Sequence, residues 1–136
     1  MAFTETDQVV PNVVQRLLLV EDDEHWQNTF LQRLRHLSGW EIQVATSHDD
    51  LAAKLAAGQF GVLLLDESLW ETRRVYEHQA AIQAQAVGGA RLFCLSSSTG
   101  AAEDMATCFG SPVSAVWGKR NMISASTAEL ISAIEG

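Results

Sequence analysis

The sequence predicts an α/β fold: a doubly wound, five-stranded parallel sheet in the order 2-1-3-4-5, with helices on both faces. Three observations carry this. Two short, wholly apolar runs, Leu17-Leu18-Leu19-Val20 and Val62-Leu63-Leu64-Leu65, end abruptly in acids, Glu21-Asp22-Asp23-Glu24 and Asp66-Glu67. Continuous rather than alternating hydrophobicity marks strands covered on both faces, and ligands of open parallel sheets collect beyond the carboxyl ends of such strands. Helix-spaced segments closed by Gly alternate with the strands. Five such strand–helix units fill 136 residues with no repeat or low-complexity linker, which leaves a single domain with helices layered on the sheet.

The elements follow in order. Residues 1–15 are polar or weakly β-prone, are interrupted by Pro11, and read as a flexible leader; the folded domain is expected over 16–136. The first strand is Arg16 to Val20. Between Glu24 and Leu37, Trp26, Phe30, Leu31, Leu34 and Leu37 recur at helical spacing, and Ser38-Gly39 supplies a stop. Trp40 to Ala45 alternates as a strand does. Ser47-His48-Asp49-Asp50 forms a capping box that opens a helix over Leu51 to Ala57, closed by Gly58. The third strand lies within Phe60 to Ser68. Trp70 to Val87, rich in Ala, Gln and Glu without internal Gly or Pro, predicts a helix ended by Gly88-Gly89. Arg91 to Leu95 is the fourth strand and runs into Ser96-Ser97-Ser98-Thr99-Gly100. A short helix is expected at about Ala101 to Phe109, a fifth strand at Ser114 to Trp117, and a last helix after a second capping box, Ser126 with Glu129, its apolar side formed by Leu130, Ile131 and Ile134.

Composition narrows the function. An apolar content of 47% is enough to fill one core. A formal net charge of -8 without a Lys/Arg cluster argues against a nucleic-acid surface. A basic partner or a bound cation suits it better. Met1 to Gln15 has neither a positive flank nor a long apolar core, so no signal peptide or membrane anchor is expected, and the location expected is cytoplasmic. Cys94 and Cys108 read as separate buried thiols rather than a disulfide or metal pair. His25, His36, His48 and His78 show no ligand spacing and are expected at solvated helix positions.

In the expected fold, Glu21, Asp22, Asp66, Ser96 and Lys119 meet at the carboxyl ends of strands one, three, four and five. Singly, each has an ordinary reading as a loop acid, a turn former or a surface cation. Together they supply oxygen ligands for a hard cation, a carboxylate nucleophile, a hydroxyl donor and a fixed positive charge, the set that Mg²⁺ and a phosphoryl group require.

On these residues the chain resembles the receiver domain of two-component response regulators, over nearly everything from Arg16 to Glu135. Leu-Leu-Val-Glu21-Asp22-Asp23 is similar to that family's acidic pair after strand one, Leu-Leu-Leu-Asp66 to its run into the phosphoacceptor, and Ser96 and Lys119 stand where it keeps a hydroxyl and a Lys. The resemblance implies a flavodoxin-like fold and a phosphoryl group taken by Asp66 from a histidine kinase or phosphotransfer protein. It also implies Mg²⁺ on Asp22, Asp66 and the carbonyl of Ser68, with Glu21 acting through water. Lys119 and Ser96 would hold the phosphoryl oxygens. The output would pass to a downstream protein, with no enzymatic turnover beyond self-phosphorylation and self-dephosphorylation.

The pattern also departs from that family. Trp70 stands where a Pro four residues beyond the acceptor is usual, Val116 replaces the switch aromatic three residues before the Lys, and Arg120 replaces the Pro after it. Two other readings follow. One is a receiver-like interaction module that phosphorylation does not control. The other is a Mg²⁺-dependent phosphatase with an aspartate nucleophile, a class that generally needs a second acid two residues past the nucleophile, where this chain has Ser68.

Overall fold

The computed structural model describes residues 15–66, 75–96, 112–118 and 127–135. Nine elements follow along them: β1 (Arg16–Val20), α1 (Glu24–Leu34), β2 (Glu41–Ala45), α2 (His48–Ala57), β3 (Val62–Asp66), α3 (Val75–Val87), β4 (Arg91–Ser96), β5 (Ala115–Gly118) and α4 (Thr127–Glu135). The strands form one sheet in the order β2-β1-β3-β4-β5, and every neighbouring pair is parallel. The expected order 2-1-3-4-5 is thus observed. Residues 1–14, the helix expected at 101–109 and the capping box at Ser126 lie outside the described residues, as do Cys108 and residues 70–74 of the helix expected from Trp70.

The sheet separates two layers by the strand's two-residue period. Leu18 and Val20 of β1, Leu63 and Leu65 of β3, and Leu92 and Cys94 of β4 pack with Leu51 and Leu55 of α2 and Ile82 of α3. Leu17 and Leu19, Val62 and Leu64, Phe93 and Leu95 pack on the other side with Phe30 and Leu34 of α1 and Ile134 of α4. Both faces of the central strands are covered, so β1 from Leu17 onward and β3 carry no polar residue before their carboxyl tips. Cys94 is a buried thiol, as expected.

Local chemistry sets the ends of the helices. Asp23 caps α1 by accepting the Trp26 N–H at 3.2 Å. The helix stops at Leu34, one turn short of the expected Leu37, although Leu37 is still buried in the layer beneath. Gly39, with φ of 80°, then turns the chain toward β2, a conformation that a side chain would strain. Ser47 caps α2 by accepting the Asp50 N–H at 3.1 Å, while the Asp50 carboxylate accepts the Thr46 N–H at 3.1 Å, one residue before the cap. The helix therefore begins at His48 rather than Leu51. Lys54 donates to Asp50 at 2.5 Å; this bond, with the Thr46 N–H and the ammonium charge, holds the Asp50 carboxyl below the usual carboxylate range against the opposing effect of burial.

At its far end α2 leaves carbonyls without helical partners, as every helix does. Gln85 of α3 supplies them: its amide donates to the carbonyls of Leu55 at 3.1 Å and Gly58 at 2.7 Å, and its oxygen accepts the Phe60 N–H at 2.8 Å. One buried amide thus fastens α3 to the end of α2 and to the entry of β3. Arg91 plays a similar part for α4, donating to the carbonyls of Ala133 and Ile134.

Candidate phosphoryl and cation site

β1 and β3 are neighbours in register, with Val20 opposite Leu65. The next residue on each strand is therefore Glu21 and Asp66, side by side at the carboxyl edge. Both share the parity of Leu19 and Leu64, which places them on the α1 side of the sheet. Glu21 is 1% exposed and Asp66 2%, whereas Asp22 is exposed. One carboxylate oxygen from each of the three lies within 4.8 Å of the others. Buried acids on adjacent strands repel each other unless a cation or proton lies between them. An all-oxygen donor set of this kind suits a hard cation, Mg²⁺ or Ca²⁺, rather than a thiolate- or imidazole-seeking one.

The loop that carries the pair is tied down at several points. The Glu21 N–H donates to the Ala45 carbonyl at 3.1 Å, and the Glu21 side chain accepts the Asp23 N–H at 3.2 Å. Gln27 of α1 reaches back to donate to the Glu21 carbonyl at 2.8 Å, and its own N–H continues the helix onto the Asp23 carbonyl. The cap of α1 and the acidic pair are thus one unit. Gln27 carried no signal in the sequence, where it reads as a solvated helix position.

Of the other expected site residues, Ser96 is the last residue of β4. Its backbone pairs with Gly118, one step beyond the Leu95–Trp117 pair, and Leu95 lies opposite Asp66. The backbone of Ser96 therefore reaches the same edge as Asp66. Lys119 follows Gly118 directly in the chain. Lys119 itself, Ser68, Trp70 and Arg120 lie outside the described residues. Val116 sits in β5 opposite Cys94.

The histidine expectation needs correction. His78 is 3% exposed, not solvated, and His48 is half-buried against it, with His48 Nδ1 and His78 Nε2 3.0 Å apart. Among the side chains of α3 described from Glu77 on, the buried ones are His78, Ile82 and Gln85, an i, i+4, i+7 stripe. Two of the three are polar, so this face could not be recognised by hydrophobicity.

Among the described residues no helix is long and apolar enough to cross a membrane. No protein-family model matches the sequence, and no curated protein does. Solved structures do match. The N-terminal domain of a response regulator/sensory box/GGDEF protein from Carboxydothermus hydrogenoformans is similar at 22% identity and a TM-score of 0.64, over 88% of this chain and 90% of that one. The signal receiver domain of a DNA-binding response regulator from Colwellia psychrerythraea matches at 16% identity and a TM-score of 0.67, over 88% and 94%. A Burkholderia pseudomallei response regulator solved with a phosphorylated aspartic acid, a calcium ion and citrate matches at 17% identity and a TM-score of 0.63, over 88% of this chain and 66% of that one. With these matches over nearly nine-tenths of the chain, its fold is the receiver fold of response regulators.

Proposed function

We propose that residues 16–136 form a phosphoacceptor receiver of a two-component or phosphorelay system, with Asp66 as the acceptor. The observation that carries the reading is the convergence of Glu21, Asp22 and Asp66 at the end of adjacent central strands, two of them buried and all within 4.8 Å. A carboxylate oxygen of Asp66 attacks the phosphorus of a phosphohistidine in line, the P–N bond breaks with its electron pair returning to the imidazole, and an acyl phosphate remains on Asp66. Asp22 and Asp66, with Glu21 beside them and the carbonyl of Ser68 as the resemblance implies, would hold Mg²⁺, which would supply neutralising charge for the phosphoryl oxygens.

The chain's own residues do the rest. The strand tips fix the nucleophile, and Gln27 holds the acidic loop against α1. Lys119 pairs with one phosphoryl oxygen and Ser96 donates to another, so that the segment after Ser96 moves when the group arrives. The donor is a histidine kinase or phosphotransfer protein in the cytoplasm, and the recipient of the signal is a second protein; neither nucleic acid nor membrane is engaged through this domain. No catalytic turnover of another substrate is part of this reading.

The test is incubation with acetyl phosphate and Mg²⁺ followed by intact-mass measurement. Wild type should gain one phosphoryl group and Asp66→Asn none. An unmodified wild-type protein that still binds its partners would favour the interaction module, for which Val116, Trp70 and Arg120 are the sequence grounds.

A further inference from the structure

The His48–His78 contact joins the first residue of α2 to the fourth described residue of α3. The ring planes are 4° apart and the centroids 5.2 Å apart, with 3.0 Å between the facing nitrogens. A centroid separation that exceeds the nitrogen separation by about two ring radii means that the rings meet edge to edge in one plane, not face over face. Each nitrogen points straight at the other. In a metal chelate both lone pairs would aim at a common ion, so this geometry is that of an N–H···N hydrogen bond between imidazoles.

Such a bond is limited by its proton count. Two neutral rings carry two protons on four nitrogens, one of them in the bond. A third proton can go to an outward nitrogen and leave the bond intact. The fourth has only the accepting nitrogen left, and there two N–H groups face each other and two positive rings adjoin. Doubly protonated, the pair must part, and His78, 3% exposed, has little water to turn to.

The position gives this chemistry a consequence. Both helices start at the carboxyl edge of the sheet, and residues 67–74 alone join Asp66 to the start of α3. Among the described residues, the charged groups near the pair along the chain are Asp49, Asp50 and Lys54 on α2 and Glu77 on α3, with Asp50 engaged by Lys54; Glu21 and Asp66 stand at strand tips whose parity faces α1 instead. We propose that the His48–His78 hydrogen bond is a proton-sensitive tie that holds the start of α3, the next described element after the acceptor strand, and so favours phosphoryl uptake at Asp66. The second half of this statement rests on the receiver function proposed above.

The experiment compares wild type with His78→Gln and His78→Leu at pH 7.5 and 5.5. Glutamine can donate to a neutral His48 or, with its amide turned over, accept from a protonated one, so His78→Gln keeps the bond at both values. Amide exchange, corrected for its intrinsic pH dependence, should be alike for wild type and His78→Gln at pH 7.5. At pH 5.5 the first turns of α2 and α3 should exchange about three- to tenfold faster in wild type, the worth of one hydrogen bond. His78→Leu should be fast at both. The ratio of wild-type to His78→Gln uptake from acetyl phosphate should fall by a similar factor over the same interval. Equal exchange in wild type and His78→Gln at pH 5.5 overturns the tie. An exchange difference without a change in the uptake ratio overturns its link to Asp66. If no variant takes up phosphoryl at any pH, the receiver function fails and the link with it, while exchange still decides whether the tie exists.

Discussion

Asp66→Asn is expected to stabilise the metal-free protein while it abolishes phosphoryl uptake. One carboxylate oxygen from each of Glu21, Asp22 and Asp66 lies within 4.8 Å of the others. At that distance and an effective dielectric of about 20, two unit charges repel by about 3 kcal/mol. The Glu21–Asp66 pair carries most of this, because both groups are buried, whereas Asp22 is exposed and water screens it. Asparagine keeps the volume and one acceptor but removes the charge. Allowing about 1 kcal/mol for one weakened hydrogen bond leaves a net gain of about 2 kcal/mol, or about 6 °C in melting temperature for a domain of this size. Thermal unfolding followed by circular dichroism in EDTA measures it directly. Adding millimolar Mg²⁺ should then raise the wild-type midpoint more than the variant's, because the folded cluster binds the cation and the dispersed acids of the unfolded chain do not. A variant no more stable than wild type in EDTA would mean that the cluster is not a centre of stored repulsion, and the argument for a cation there would lose its physical basis.

Other outcomes can be read from single residues. Gln85→Leu should cost about 3 kcal/mol, because the buried Phe60 N–H and the Leu55 carbonyl lose their partner; a midpoint unchanged in thermal or urea unfolding would show that the three bonds contribute nothing net. Lys54→Met should cost under about 1 kcal/mol near pH 7, since the pair with Asp50 is partly exposed. The Asp50 carboxyl is held low in the folded state, so its contribution is present above the ordinary value of 3.8 and is lost as pH falls through the folded value. The stability gap between wild type and Lys54→Met should therefore narrow on acidification, and a gap that widened as the pH fell would contradict the assignment. With Val116 in place of a switch aromatic, phosphorylation is expected to change amide exchange most between Ser96 and Gly110, with little change at Trp117; a difference confined to β5 would contradict this.

The fold and the edge of the sheet could be read from the sequence because both depend on patterns that burial enforces. Leu17 to Val20 and Val62 to Leu65 are covered on both faces, and an acid can follow such a run only where the strand leaves the core. Glu21 and Asp66 mark that exit on neighbouring strands, which is why two sequence-distant carboxylates could be placed together. Helix ends were legible where a capping box signals them, as at Ser47, although α2 begins directly after that residue, at His48, rather than at Leu51. They were misjudged where a tertiary contact takes over: Leu37 completes the apolar period of α1 and is buried, yet the helix stops at Leu34 and Leu37 packs from the turn beyond it.

Polar residues that act through one another left no such mark, and they are the residues that fasten the helices to one another and to the strand ends. Gln27, His48, His78 and Gln85 are each ordinary helix-surface types in sequence, and three of the four bond across elements 25 to 30 residues apart. A buried amide or imidazole is tolerated only if its partners are present in the fold, and those partners are backbone carbonyls and a second ring that no local pattern announces. The consequence is a division of labour along α3. Gln85, near its end, fastens it permanently to α2 and β3 through an amide that does not titrate, whereas His78, near its start, fastens it through a bond that depends on protons. An element fixed at the far end and conditionally fixed near its start can loosen at its first turn without detaching from the core, so a proton-dependent change there need not cost the fold.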